Sequence, residues 1–270
     1  CDRRQRQMCI RDSHQGRNKR IWWCQERTDT GRNRRPGNIR IRKENQISIK
    51  DILIGDVWLC SGQSNMQWVV NNVTNAEVEK KNANYSQIRT LNIPRRMELS
   101  PKDTISATWL VCSPETVGRF SGVAYFFARK VYEETNIPIG IINSSWGGTI
   151  VETWTSLEAA NTLPQKRLDR YNKNEKLSPP TEYFTRTNKE AKRNDYPSLV
   201  YNAMIHPLLS FSIKGVLWYQ GENNVGNAEP YTDWLTCMIG DWRNRWNSEL
   251  PFYIIQLPNF DSTNKTPLWA

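Results

Sequence analysis

Histidine is almost missing from this chain: its 270 residues hold two, His14 and His206. Six cysteines are present, Cys1, Cys9, Cys24, Cys60, Cys112 and Cys237. Their spacing matches neither a C-x-x-C pair nor a zinc pattern, so no metal site is expected. Cys60 and Cys112 read as buried apolar residues, not as disulfide partners. No apolar run approaches the roughly 18 residues needed to cross a bilayer. The first residues also lack the apolar stretch of a secretory signal. Nothing in the chain asks for a cofactor, and nothing in it bears on oligomeric state.

Positive charge is abundant but local. The net charge is +10, and residues 1–46 carry 14 Lys+Arg against 5 Asp+Glu, which leaves the remainder nearly neutral. A basic leader could meet nucleic acid or an anionic surface. It has little aromatic interleaving beyond Trp22 and Trp23 and no nucleic-acid-binding motif, so no nucleic-acid partner is expected. No period of 2 or 3.6 persists as far as Arg35. Two readings of residues 1–46 stand, a disordered basic tail or a stretch that is not native sequence, and the second is preferred. Ile39, Ile41, Ile47 and Ile49 alternate as a strand would, as the tail of a preceding β-domain. The division expected is a leader over 1–46 and a single α/β domain over 47–270.

That domain is organised around the stretch DILIGDVWLCSGQSNMQW, residues 51–68. Ile52, Leu53, Ile54, Val57, Trp58 and Leu59 form the unbroken apolar run of a strand buried on both faces of a parallel sheet. The run stops in a turn of small and polar residues that includes Ser64. In open α/β sheets ligands bind at the carboxyl ends of strands, so a serine on that turn is well placed to react. A helix starting after Ser64 would aim backbone N–H groups at an oxyanion. The plain alternative is a strand-to-helix turn whose serine and asparagine cap the helix.

Two further strands end in turns of the same character. Residues 137–142 run into Asn143, Ser144, Ser145, Trp146, Gly147, Gly148 and Thr149, and paired glycines let a backbone approach a ligand. Residues 213–219 lead into Gln220, Gly221, Glu222, Asn223 and Asn224. Strands also fit residues 88–93 and 252–257, with 95–114 read as loop. Helical spacing runs over 121–135 and 231–246, residues 197–209 read as helical or turn-like, and 161–195 as a charged surface insertion. Strands centred near 57, 90, 140, 216 and 254, alternating with helices, predict a three-layer, flavodoxin-like α/β/α parallel sheet.

Three blocks, GDVWLCSGQSNM, GGT followed by Glu152-Thr153-Trp154, and WYQGENN, resemble in order those of the sialate O-acetylesterase family. This family is a carbohydrate-esterase branch of the SGNH hydrolases. The resemblance covers roughly residues 47–260. It implies an ester hydrolase that removes acetyl groups from acetylated sugars through an acetyl-enzyme, with Ser64 as nucleophile. It implies an oxyanion held by the N–H groups of Ser64 and a glycine, Gly147 being preferred to Gly148, and by Gln220. Glu222 is either an acceptor for backbone amides of its loop or a carboxylate supporting the base, and Asn223 is a weaker contact. Trp146 and Tyr219 are candidate sugar contacts and equally candidate core. A carbohydrate-binding module that kept the fold and lost catalysis is the alternative.

In the family the base lies in an Asp-x-His block after the last strand. Here Asp261 is followed by Ser262 and Thr263, and the chain ends at Ala270. The expectation is therefore a C-terminally truncated domain, inactive or nearly so as it stands. His14 lies in the leader, and His206 reads as a buried or capping residue. Sequons at Asn72, Asn84, Asn143 and Asn264 fit the extracellular, periplasmic or lysosomal setting that the family implies.

Overall fold

The computed structural model describes residues 23–24, 37–42, 46–173, 175–180 and 195–258. His14, Asp261, Asn264, most of the leader and part of the 161–195 insertion lie outside them. Three strands come first: β1 (Trp23–Cys24), β2 (Gly37–Arg42) and β3 (Gln46–Ile54), in the order β1-β3-β2. Strands β2 and β3 are antiparallel, with Ile39 opposite Ile49 and Ile41 opposite Ile47, so the alternating isoleucines do form a ribbon. At the end of β3, the Asp51 carboxylate and carbonyl accept from the buried Arg89 at 2.8 and 2.9 Å, which ties this ribbon to the larger sheet.

The larger sheet has six strands in the order β6-β5-β7-β4-β8-β9. They are β4 (Asp56–Gly62), β5 (Tyr85–Asn92), β6 (Trp109–Cys112), β7 (Ile139–Ser145), β8 (Gly215–Tyr219) and β9 (Phe252–Ile254). Every neighbouring pair is parallel except β5–β6. The five expected strands are all present, and β6 is added where a loop was expected. Four residues in a polar stretch carry too little pattern to be read as a strand, and β6 is held by antiparallel pairing to β5 at the edge. In flavodoxin-like order strand one would lie between two and three; here β7 and β8 flank β4.

Alternation along each strand makes two cores. Val57, Leu59, Ile142, Val216 and Trp218 face one, Trp58, Cys60, Ile139, Ile141 and Leu217 the other. This is the three-layer α/β arrangement expected of the sequence. The second face is covered by α2 (Gly122–Thr135), started by Ser121, whose hydroxyl accepts the Ala124 N–H, and ended by Asn136 in the left-handed region at φ 55°. The first face is covered by the last helix, Tyr231–Trp246, which buries Trp234, Met238 and Trp242 at helical spacing. Cys60 is fully buried, and burial pushes its thiol well above the ordinary range; the Cys112 thiol is pushed up to about 12. Both are free thiols packed as core, as their apolar setting implied.

Connections from β4 lead toward β5, and those from β8 toward β9. The sheet therefore has a switch point between β4 and β8, the place where open α/β sheets bind their ligands. No helix of the described residues is long and apolar enough to cross a membrane.

Candidate active site

The site is built on one close approach of backbones. Gly62 ends β4 at φ 140°, and a Cβ there would fall 2.1 Å from the Tyr219 carbonyl oxygen. Only glycine lets β4 and β8 meet so tightly while the chain turns. The next residue, Gln63, is 3% exposed and donates its N–H to Tyr219 O at 3.0 Å. Ser64 then opens a single helical turn, α1 (Ser64–Gln67). Its side chain is exposed, and its hydroxyl makes no hydrogen bond among the described residues. As the first residue of the turn, it has an N–H with no intrahelical acceptor. One turn of helix gathers little dipole, so local N–H groups carry the electrostatics here.

Gly147 comes directly against the Ser64 turn. A Cβ on it would lie 3.5 Å from both Cα and Cβ of Ser64 and 3.3 Å from Gln67 Oε1. The Gly147 N–H donates to Gln67 Oε1 at 2.7 Å, so a carboxamide oxygen occupies the N–H that the family resemblance assigns to an oxyanion. Gly148, at φ 76°, faces open space, and its carbonyl accepts from Asn223 Nδ2 at 2.8 Å.

Carboxamides fasten the loop after β8 to both other turns. Gln63 Oε1 accepts the N–H groups of Gly221 at 3.1 Å and Asn223 at 3.4 Å. The backbone amides considered for Glu222 are thus taken by Gln63. Glu222 instead accepts from Asn65 Nδ2 at 2.5 Å through Oε1, and its Oε2 is buried without a hydrogen-bond partner. Tyr219 stands beside them: burial first, then the Glu222 charge, raise its phenol above the usual range, against a hydrogen bond with Asn65.

Gln220 is 3% exposed. Its Nε2 donates to Thr149 O at 3.0 Å and to Asn224 Oδ1 at 2.7 Å. Asn224 fixes that orientation, because its Oδ1 also accepts Val151 N–H at 3.0 Å while its Nδ2 donates to Glu152 at 2.9 Å. With both hydrogens engaged, Gln220 in this conformation joins the β7 and β8 loops and offers no donor to an oxyanion.

Glu152 is fully buried. Burial pushes its carboxyl above the ordinary range, opposed by the hydrogen bond from Asn224 and by Arg170, whose guanidinium is 4.0 Å from Oε1. Tyr171 stands beside the same carboxylate, and burial first, then the Glu152 charge, push its phenol up.

Trp146 and Tyr219 are both partly buried against the cores on opposite faces of the sheet. His206 is elsewhere: its Nδ1 is 3.0 Å from the Lys102 carbonyl, a structural contact like the one expected of it. No group of three or more metal-ligating side chains occurs among the described residues.

The fold is a parallel-dominated α/β sheet, with Ser64 and Gly147 set against each other at its switch point. Residues 54–269 match the family model described as carbohydrate esterase, sialic acid-specific acetylesterase, and the chain belongs to that family. It is 32% identical over an alignment of 250 positions to a sialate O-acetylesterase of Rattus norvegicus, covering 79% of this chain and 45% of that protein. A sialate O-acetylesterase of Homo sapiens is 35% identical over 232 positions, covering 78% and 41%. The chain thus spans less than half the length of the curated relatives it matches. A crystal structure of a carbohydrate acetylesterase from Xanthomonas citri superimposes with a TM-score of 0.71 at 32% identity, covering 87% of this chain and 50% of that one.

Proposed function

We propose that this domain supplies the nucleophile of a serine O-acetylesterase acting on acetylated sugars. The observation that carries the reading is the contact of Gly147 with Ser64 at the carboxyl end of β4. Ser64 Oγ attacks the acetyl carbonyl, the sugar hydroxyl leaves, and water then hydrolyses the acetyl-enzyme. The developing oxyanion is held by the N–H groups of Ser64 and Gly147. For this the acyl oxygen takes the place of Gln67 Oε1, which already accepts from Gly147. Gln220 acts one step back, by holding Thr149 and therefore the glycine turn.

A hydroxyl needs a base to become a nucleophile. His206, engaged by Lys102, is not that base. The resemblance implies an Asp–His pair beyond the described residues, with Glu222 beside Ser64 through Asn65. An exported or lysosomal setting accords with exposed sequon asparagines at Asn72 and Asn84; Asn143 lies buried in β7 and is closed to a glycan once folded.

The test is acetate release by the full-length protein from a mono-O-acetylated methyl glycoside, with labelling by an organophosphonate. Ser64→Ala is expected to abolish labelling and lower kcat by about 10⁴-fold or more, with the melting temperature unchanged. Activity or labelling that survives Ser64→Ala refutes the assignment.

A further inference from the structure

Trp68 is the most exposed tryptophan between Trp58 and Trp246, at 53% of its surface; the other exposed ring, Tyr253, lies on edge strand β9. One exposed aromatic is ordinary. Its place and its rigidity are not. Trp68 N–H donates to the Ser64 carbonyl at 2.9 Å, which closes the nucleophile turn. Residues four apart on a helical turn hold their Cβ atoms about 5–6 Å apart on one face. That separation is on the scale of a single pyranose ring.

The side chain is also fixed. The Trp68 carbonyl accepts Gly122 N–H at 2.7 Å, and the indole Nε1 donates to the Asn72 carbonyl at 3.0 Å. With its one polar atom engaged, the indole leaves apolar surface in water, on a residue one helical turn along from exposed Ser64. Holding such a ring still in advance removes the ordering that binding would otherwise require. Beyond Trp68, the turn Val70–Asn72 carries Asn71, which borders an open pocket of about 550 Å³ together with Lys81, Gly118 and Arg119.

We infer that Trp68 is the sugar platform of this site, stacking against the apolar C–H face of the acetylated pyranose and so placing its ester at Ser64. The inference rests on the proposed esterase reading and deepens it. It gives Trp68 the contact considered from sequence for Trp146 and Tyr219. The ligand class is a pyranoside with one face of axial hydrogens free. The contact is one of binding and orientation, so it acts on sugars and not on acetate esters in general.

Two measurements test it. In the full-length protein, Trp68→Ala is expected to raise KM for a mono-O-acetylated methyl glycoside about ten-fold. Over the same comparison kcat, and kcat/KM for ring-free ethyl acetate, should stay within about two-fold. Trp68→Phe should restore most of the loss. Equal damage to both esters, or no change in the glycoside KM, overturns the proposal. The second measurement needs no turnover: calorimetric Kd values for the same glycoside on Ser64→Ala with and without Trp68→Ala, expected to differ about ten-fold. Where Kd weakens but the wild type hydrolyses neither ester, the platform stands and the esterase reading falls. Where Ser64 is active and Kd does not move, the reverse holds.

Discussion

The floor of the site and its rim are built by different means. The floor is the pair of apolar cores on either face of the sheet, dense with rings: Trp218 meets Trp154 and Trp242, each at 5.9 Å between centroids and nearly edge-on. The rim holds its loops through side-chain amides: Gln63 and Asn65 reach the loop after β8, and Gln67, Gln220 and Asn224 reach the one after β7. Apolar packing is non-directional and tolerates repacking. A buried amide has donors and acceptors at fixed angles and is worth most when all are matched. The floor therefore sets stability, and the rim sets the position of the loops around Ser64.

The largest effect should come from breaking the floor. Trp242→Ala removes a fully buried ring and its hydrogen bond to the Trp154 carbonyl, and is expected to lose about 3–5 kcal/mol in denaturant unfolding. Asn224→Ala breaks the rim. It leaves Val151 N–H, Glu152 and Gln220 with unmet groups, so a loss of about 2–3 kcal/mol is expected, together with a fall in kcat. If the variant lost stability but kept full activity, the division between floor and rim would fail.

Glu152→Gln separates charge from shape. The folded-state pKa of Glu152 is raised by burial. Its contribution to stability is thus fully present below the carboxyl's unfolded pKa and is lost as pH rises through the folded value. Glutamine keeps an acceptor for Asn224 and carries no charge. The variant should melt above the wild type near pH 7.5, and the gap should close toward pH 4. A constant gap across that range contradicts the assignment. The smallest effect is expected from Gln67→Ala, which uncovers the Gly147 N–H. Removing a competitor for that donor should raise kcat/KM for ethyl acetate about two- to five-fold. A fall would mean that Gln67 holds the glycine for catalysis.

These two regions also differ in how far they could be read from sequence. The floor was legible: the apolar runs of β4, β7 and β8 and the stripe of Trp234, Met238 and Trp242 state their own burial. Strand β6 was not, since four residues are too few to state a period; its place comes from pairing with β5 and from the burial of Trp109 and Cys112. At the rim, the order of the three blocks picked out the turns that meet at Ser64, but not the work of each side chain. Gln63 and Gln67 flank Ser64 and drew no attention, because a glutamine on a turn carries no spacing signal. Its partners lie far along the chain, 158 residues away for Gln63 and Gly221 and 80 for Gln67 and Gly147. Glu222 was visible, yet the amides considered for it belong to Gln63.

That span of 158 residues between Gln63 and Gly221 has a consequence for how the molecule comes into being. Strand β4 is made early, but its right-hand neighbour β8 does not exist until the ribosome has travelled that distance, on the order of 10–30 s at roughly 5–20 residues per second. Through this interval one long edge of a very apolar strand is unpaired. The waiting strand is thereby open to pairing with the wrong partner until β8 is made.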